Sequence, residues 1–140
     1  MTLIWRGKQV VTAMEAAEID AINTTMAAAV IHAKSNHGPG ARASGRFESQ
    51  TGSLERSVRI TTPGRAEFTG SRGQWGSTDI VYARRIELGF QGKDSLGRVI
   101  NQPALPFLSP AASEEYPKLA GRIREAWLAN LRRRKGRKSR

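Results

Sequence analysis

The chain has 140 residues, no cysteine and a formal net charge of +11. That length bounds it to one domain with a modest core, and the lack of cysteine excludes a disulfide framework and thiolate metal sites. Seven of the positive charges lie in Arg132-Arg-Arg-Lys-Gly-Arg-Lys-Ser-Arg140, which holds no acid, so the rest of the chain is left at +4 and is not a broadly basic body.

Taken in order, Thr2 to Val11 is a short arm or an edge strand. Thr12 is placed to cap a helix, with Glu15 at the capping-box spacing, where hydroxyl and carboxylate each satisfy an orphan backbone donor. The helix runs on to about Ser35, with Ile19, Ile22, Met26, Ala29, Val30 and Ala33 at three- and four-residue steps on one face. Asn36-His-Gly-Pro-Gly40 ends it. Gly38 to Gly52 lacks periodicity and reads as a mobile loop. Leu54 falls in a short helical turn, after which Ser57 to Thr62 alternates as a strand, with Val58 and Ile60 on one face. Pro63-Gly64 is a turn dipeptide. Ala66 to Gly70 is expected to return as a strand with Phe68 inward, and Ser71 to Ser77 to form a glycine-rich loop. Asp79 to Leu88 is the expected third strand, ending at Gly89. Gln91 to Gln102 reads as a polar loop.

Ser109-Pro110 is a helix start, with a capping hydroxyl followed by proline at the first helical position. Tyr116, Leu119, Ala120, Ile123, Trp127 and Leu131 form an apolar stripe. Pro117 interrupts it: either the helix kinks there, or a short first turn ends near Ser113 and the helix restarts at Tyr116 or Pro117. The expected architecture is α+β. An antiparallel sheet of three to four strands is packed against an N-terminal and a C-terminal helix within residues 1–131, followed by a disordered basic tail at 132–140.

No catalytic constellation emerges. His32 and His37 stand five apart, not at the four-residue step that brings two ligands to one helical face. No acid/base pair or Ser–His–Asp set can be singled out. Gly70-Ser-Arg-Gly-Gln-Trp-Gly76 lacks the Lys-Ser ending of a phosphate loop and no helix follows it. The chain therefore reads as a non-enzyme without cofactor or metal. Trp75 is either a core side chain or, with Arg72, an interface anchor. The basic tail is either a solvated tail or a non-specific DNA contact made by Arg132, Arg133, Arg134, Lys135, Arg137, Lys138 and Arg140. The run from Met26 to Ala33 is too short to span a bilayer, and Met1 to Lys8 lacks the apolar core of a signal peptide. A soluble cytoplasmic protein with no membrane contact is expected.

Three segments in order carry a resemblance: Thr51-Gly-Ser-Leu-Glu-Arg-Ser-Val58, Val81-Tyr-Ala-Arg-Arg-Ile-Glu-Leu-Gly89 and Pro103-Ala-Leu-Pro-Phe-Leu-Ser-Pro-Ala111. Over roughly Thr12 to Leu131 the chain resembles the small neck or tail-completion proteins of long-tailed double-stranded-DNA phages and prophages. It departs from their pattern at Pro117 and in its basic tail. The resemblance implies a structural virion protein, made in the host cytoplasm. It also implies a ring, most often sixfold, at the head-to-tail junction around the DNA channel. Its neighbours there would be the head connector or head-closure protein and the tail tube or tail terminator. Tyr82, Glu87, Gly89, Phe107 and Leu108 are then scaffold or subunit-interface positions, as are Trp75 and Arg72, and none is a site of chemistry. The rival expectation is a small basic nucleic-acid-binding protein acting through its tail.

Overall fold

The computed structural model describes residues 7–36 and 52–137, with the backbone alone for 134–137. The architecture is α+β, as expected, but the central layer is a helix. Helix α1 spans Gly7–Ser35. A five-residue helix α2 (Ser53–Ser57) leads into a hairpin of β1 (Val58–Glu67) and β2 (Gly70–Ser77). Helix α3 (Ala83–Leu88) is followed by a second hairpin, β3 (Phe90–Lys93) and β4 (Val99–Gln102). Helix α4 (Leu108–Glu115) passes through a 3-10 turn at Tyr116–Lys118 into α5 (Leu119–Arg137). The strands form two separate two-stranded antiparallel sheets rather than one sheet of three to four. Strands β1 and β2 pack on α1, as do α4 and α5.

Helix α1 takes the central place because of its small residues. Ala13, Ala17, Ala21, Thr25, Ala29 and Ala33 are all buried and recur every fourth residue. This is the ridge along which helices approach most closely. Ile19 and Ile22, expected on the apolar face, are only half-buried beside it. Thr12 does not cap the helix. It lies inside α1, and its hydroxyl donates to the Lys8 carbonyl at 3.0 Å, the in-helix alternative open to threonine. The expected arm at 1–11 is thus helical from Gly7, its first six residues lying outside the described ones. The loop expected at 38–52 lies outside them too, except for Gly52, which precedes α2 with φ 67°. Replacing Ala29, which is fully buried, with leucine overpacks the ridge. The expected cost is about 2 kcal/mol, read as a lowered midpoint in urea with an unchanged slope.

The first hairpin turns at Phe68 and Thr69, not at Pro63-Gly64. The register pairs Ile60 with Trp75, Thr62 with Gln74 and Arg65 with Arg72, with irregularities either side of Thr62. Proline cannot donate to the ladder and is tolerated at such a bulge. The freed Gly64 N–H donates instead to Asn23 Oδ1 of α1 at 2.7 Å. Lengthening β1 in this way moves Trp75 from the expected loop into β2 and puts Phe68 at the tip, fully exposed rather than inward. Ser71 Oγ donates to Glu18 Oε2 at 2.9 Å, a second tie between hairpin and α1.

The expected third strand is a helix. Ala83 and Ile86 are buried at a three-residue step, a helical spacing that over so short a run competes with the alternation of Ile80, Tyr82, Ile86 and Leu88. The polar loop expected after Gly89 is a hairpin. Its turn is built by Asp94, whose carboxylate accepts from the N–H groups of Leu96 and Arg98, each at 2.9 Å. The backbone hydrogen bond from Arg98 is the main cause holding the Asp94 pKa below the ordinary aspartate value. The chain takes the second course at Pro117, with the short helix ending at Glu115 rather than near Ser113 and the long helix restarting at Leu119. Between them the chain tightens into one 3-10 turn, in which the Leu119 N–H donates to the Tyr116 carbonyl. That is the local answer to a missing i→i−4 donor. The basic segment expected to be disordered from 132 continues α5 as helix to Arg137.

Candidate assembly surfaces

The core lies where α1 ends and α2, β1, α3 and α4 begin. Leu54, Val58, Ala83, Ile86, Phe107, Ala111 and Ala33 form it, with Trp75, Leu105 and Leu108 packed around them. Phe107 is the largest side chain fully enclosed there, 1 % exposed.

The backbone of the approach to α4 is held from three directions. The Leu105 N–H donates to the Ile86 carbonyl at 2.8 Å. Asn36 Nδ2, at the end of α1, donates to the Phe107 carbonyl at 3.0 Å. The Glu87 carboxylate, projecting from α3, accepts from the N–H groups of Phe107 (2.8 Å), Leu108 (3.0 Å) and Ser109 (2.8 Å) and from the Ser109 hydroxyl. The cap of α4 is therefore a glutamate twenty residues away in sequence, not the hydroxyl of Ser109. A negative charge at the first turn also meets the positive end of the helix dipole. Burial pushes the Glu87 carboxyl up, but the hydrogen bonds from the Ser109 side chain and the three amides outweigh it, and its pKa lies below the ordinary glutamate value. Gly89 turns the chain just beyond this glutamate with φ 75°. A Cβ there would stand 2.8 Å from the Ala104 nitrogen and 2.9 Å from the Gln102 oxygen, so only glycine fits.

Glu87, Gly89, Phe107 and Leu108 are thus brought together as one structural joint. Tyr82 is not part of it: it precedes α3 with an exposed side chain. Trp75 and Arg72 lie together elsewhere, on β2, beside an open groove of about 320 Å³. Its walls are Ile22 and Met26 of α1, Gly73 and Trp75 of β2, Tyr116 and Leu119. The lack of a side chain at Gly73 makes room for Met26, whose Sδ would lie 2.8 Å from a Cβ at that position. The Trp75 indole Nε1 donates to the Tyr116 hydroxyl at 3.1 Å, so the tryptophan is half-buried and spans the two alternatives, core and surface. Arg72 is exposed at the rim.

Below the groove, Arg122 joins the two long helices. It donates to Glu115 Oε2 at 2.6 Å and to Thr25 Oγ1 at 3.0 Å. Glu115 is 7 % exposed, and the hydrogen bonds from Arg122 and then Lys118 hold its pKa low. Lys118 extends the network by pairing with both Glu114 (2.8 Å) and Glu115 (3.0 Å).

Each hairpin carries an apolar display. Phe68 stands at the tip of the first hairpin. Leu96 and Val99, 75 % and 79 % exposed, stand on the second. That hairpin is tied to the body at its base, where the Arg85 guanidinium lies 4.4 Å from the centre of the Phe90 ring. The expected turn at Pro63-Gly64 concealed the first display and the expected polar loop the second. The Asp94-x-x-Gly97 spacing was the available signal for the second. Among the described residues no cluster of three or more His, Cys, Asp or Glu is placed to hold a metal, and no helix is long and apolar enough to cross a membrane. Arg132 and Arg133 are exposed near the end of α5. Arg134, Lys135 and Arg137 follow on the same helical backbone, and Lys138 and Arg140 lie outside the described residues. Compared with family models, curated proteins and solved structures, the chain gives no significant match.

Proposed function

We propose that this chain is a structural subunit of a phage or prophage particle, one that assembles into a ring, sixfold by the resemblance, at the head-to-tail junction. The observation that carries the reading is a pair of dissimilar apolar features. One is the protruding Phe68. The other is the recess walled by Ile22, Met26, Trp75, Tyr116 and Leu119. A ring is built from heterologous contacts, in which each copy offers one patch forward and a different patch behind. A knob and a hole on one subunit supply those two patches. Trp75, Tyr116 and Arg72 are residue types that anchor interfaces when desolvated. The ordered trio of motifs supports the same reading, and so does the joint at which they meet.

The expected result is that Phe68→Asp abolishes ring assembly while the isolated subunit keeps its thermal midpoint, because Phe68 packs on nothing in the monomer. Trp75→Ala should also weaken assembly, but with some loss of stability, since its indole is hydrogen-bonded to Tyr116. Native mass spectrometry of both variants, alone and with the head and tail components, reads the outcome. Phe68→Asp rings as stable as those of the unaltered chain would sink the knob-and-hole contact.

A further inference from the structure

The first hairpin brings two arginines face to face. Arg65 and Arg72 are direct partners in the β1–β2 register, and like charges opposite one another weaken a ladder. Arg65 is matched on its own strand by Glu67, at 3.3 Å. Arg72 has no such relief, and pairs with no carboxylate among the described residues. It is exposed at the rim of the groove walled by Met26, Trp75 and Tyr116, and among the described residues lining that groove it alone is charged. The knob carries the opposite sign. Glu67 directly precedes Phe68, with their Cα atoms about 3.8 Å apart, and it closes the turn by pairing with Gly70. The Arg65 and Glu67 side chains are 66 % and 35 % exposed. Ion pairs so open to water contribute little, so Glu67 can exchange partners at small cost. An apolar tip with a carboxylate beside it therefore matches an apolar recess with a guanidinium beside it, in polarity and in charge.

We propose that Glu67 and Arg72 set the specificity of the contact between copies: as Phe68 of one copy enters the groove of the next, the Glu67 carboxylate beside it accepts hydrogen bonds from the Arg72 guanidinium on that groove's rim. The partner is a second copy of this chain. This pairing rests on the knob-and-hole reading above, and it adds the two residues that fix which chain is accepted and in what orientation. The incoming carboxylate also offsets the repulsion between Arg65 and Arg72 in the receiving subunit. Arg72 thus costs the lone subunit and stabilises the assembly, through the forked pairing with a carboxylate that an arginine makes.

The test is a double-mutant cycle on the full chain, read by native mass spectrometry and sedimentation velocity at low and high salt, alone and with the head and tail components. Glu67→Arg and Arg72→Glu should each weaken association between copies about 10-fold at low salt. The double variant should recover to within about threefold of the unaltered chain. These differences should shrink at high salt, where exposed charges are screened. Arg72→Glu turns a like-charged ladder pair into an oppositely charged one, so its thermal midpoint should not fall below that of the unaltered chain, which separates lost assembly from lost folding. If Phe68→Asp still abolishes association, single variants that associate like the unaltered chain, or a double variant no better than the singles, would overturn the charge pairing and leave the knob and hole standing. Association indifferent to Phe68→Asp, or no association of the unaltered chain under any of these conditions, would overturn both.

Discussion

Phe107→Ala is expected to destabilise the subunit by about 4 kcal/mol, the cost of deleting a large aromatic side chain from an enclosed site. The ring is 1 % exposed and sits among Leu54, Val58, Ala83, Ile86 and Ala111. These residues come from α2, β1, α3 and α4, four elements whose backbones are separately constrained, so the site has little freedom to collapse. Domains of this size are stable by only about 5–15 kcal/mol, and the thermal midpoint should fall by roughly 10–20 °C. The same residues hold α3, which leads into the second hairpin, and β1, which forms the first. Under the proposed ring role, heads and tails should fail to join in this variant, whereas a chain lacking 132–140 should still join them. Calorimetry of the isolated subunit beside a particle-joining assay separates the two effects.

Glu87→Ala is expected to cost about 3 kcal/mol. One carboxylate accepts from three consecutive amides and a hydroxyl at the start of α4. Charge-assisted bonds of this kind contribute more than neutral ones, and loss of a helix cap alone costs about 1 kcal/mol. Glu87→Gln keeps the shape and loses the charge, so about half that cost is expected. The pH dependence follows from the lowered pKa. The native state binds this proton less tightly than the unfolded chain, so the stability it contributes is present above the unfolded value, about 4.3. It is lost as pH falls through the lower folded value. The difference in unfolding free energy between the unaltered chain and Glu87→Gln should be largest near neutral pH and shrink below about pH 4. Urea titrations at pH 7, 5 and 3 measure it. A difference that stays constant across that range would mean that charge has no part in the cap.

The three motifs that organise the chain were visible in the sequence, and their meeting in one joint follows from them. Leu54 in a helical turn and Val58 at the start of a strand were legible from local pattern, whereas Phe107 was named from its motif as a scaffold or interface position and the fold places it in the core. Residues 83–88 were not, since six residues fit an alternating and a helical pattern about equally. The choice was made by contacts outside the segment, notably the Leu105 N–H on the Ile86 carbonyl and the chain reversal at Gly89. Pro63-Gly64 carries a strong turn signal but is absorbed as a bulge because Asn23 of α1 supplies the partner for the Gly64 amide. That long-range bond moves the real turn to Phe68, and with it the exposed knob. Glu87 was named as a joint residue from its motif, yet its role as a cap depends on a fold that brings α3 to the start of α4. Helix at 132–137 escaped reading because a run of like charges has no periodicity to reveal it.

Cryo-electron microscopy of particles assembled from the genome encoding this chain would decide whether the proposed ring between head and tail exists. The expected density is a ring at the neck into which the subunit fits with Phe68 of each copy seated beside Trp75 and Tyr116 of the next. Particles whose neck contains no density for this chain, or a neck that assembles normally without it, would contradict the claim.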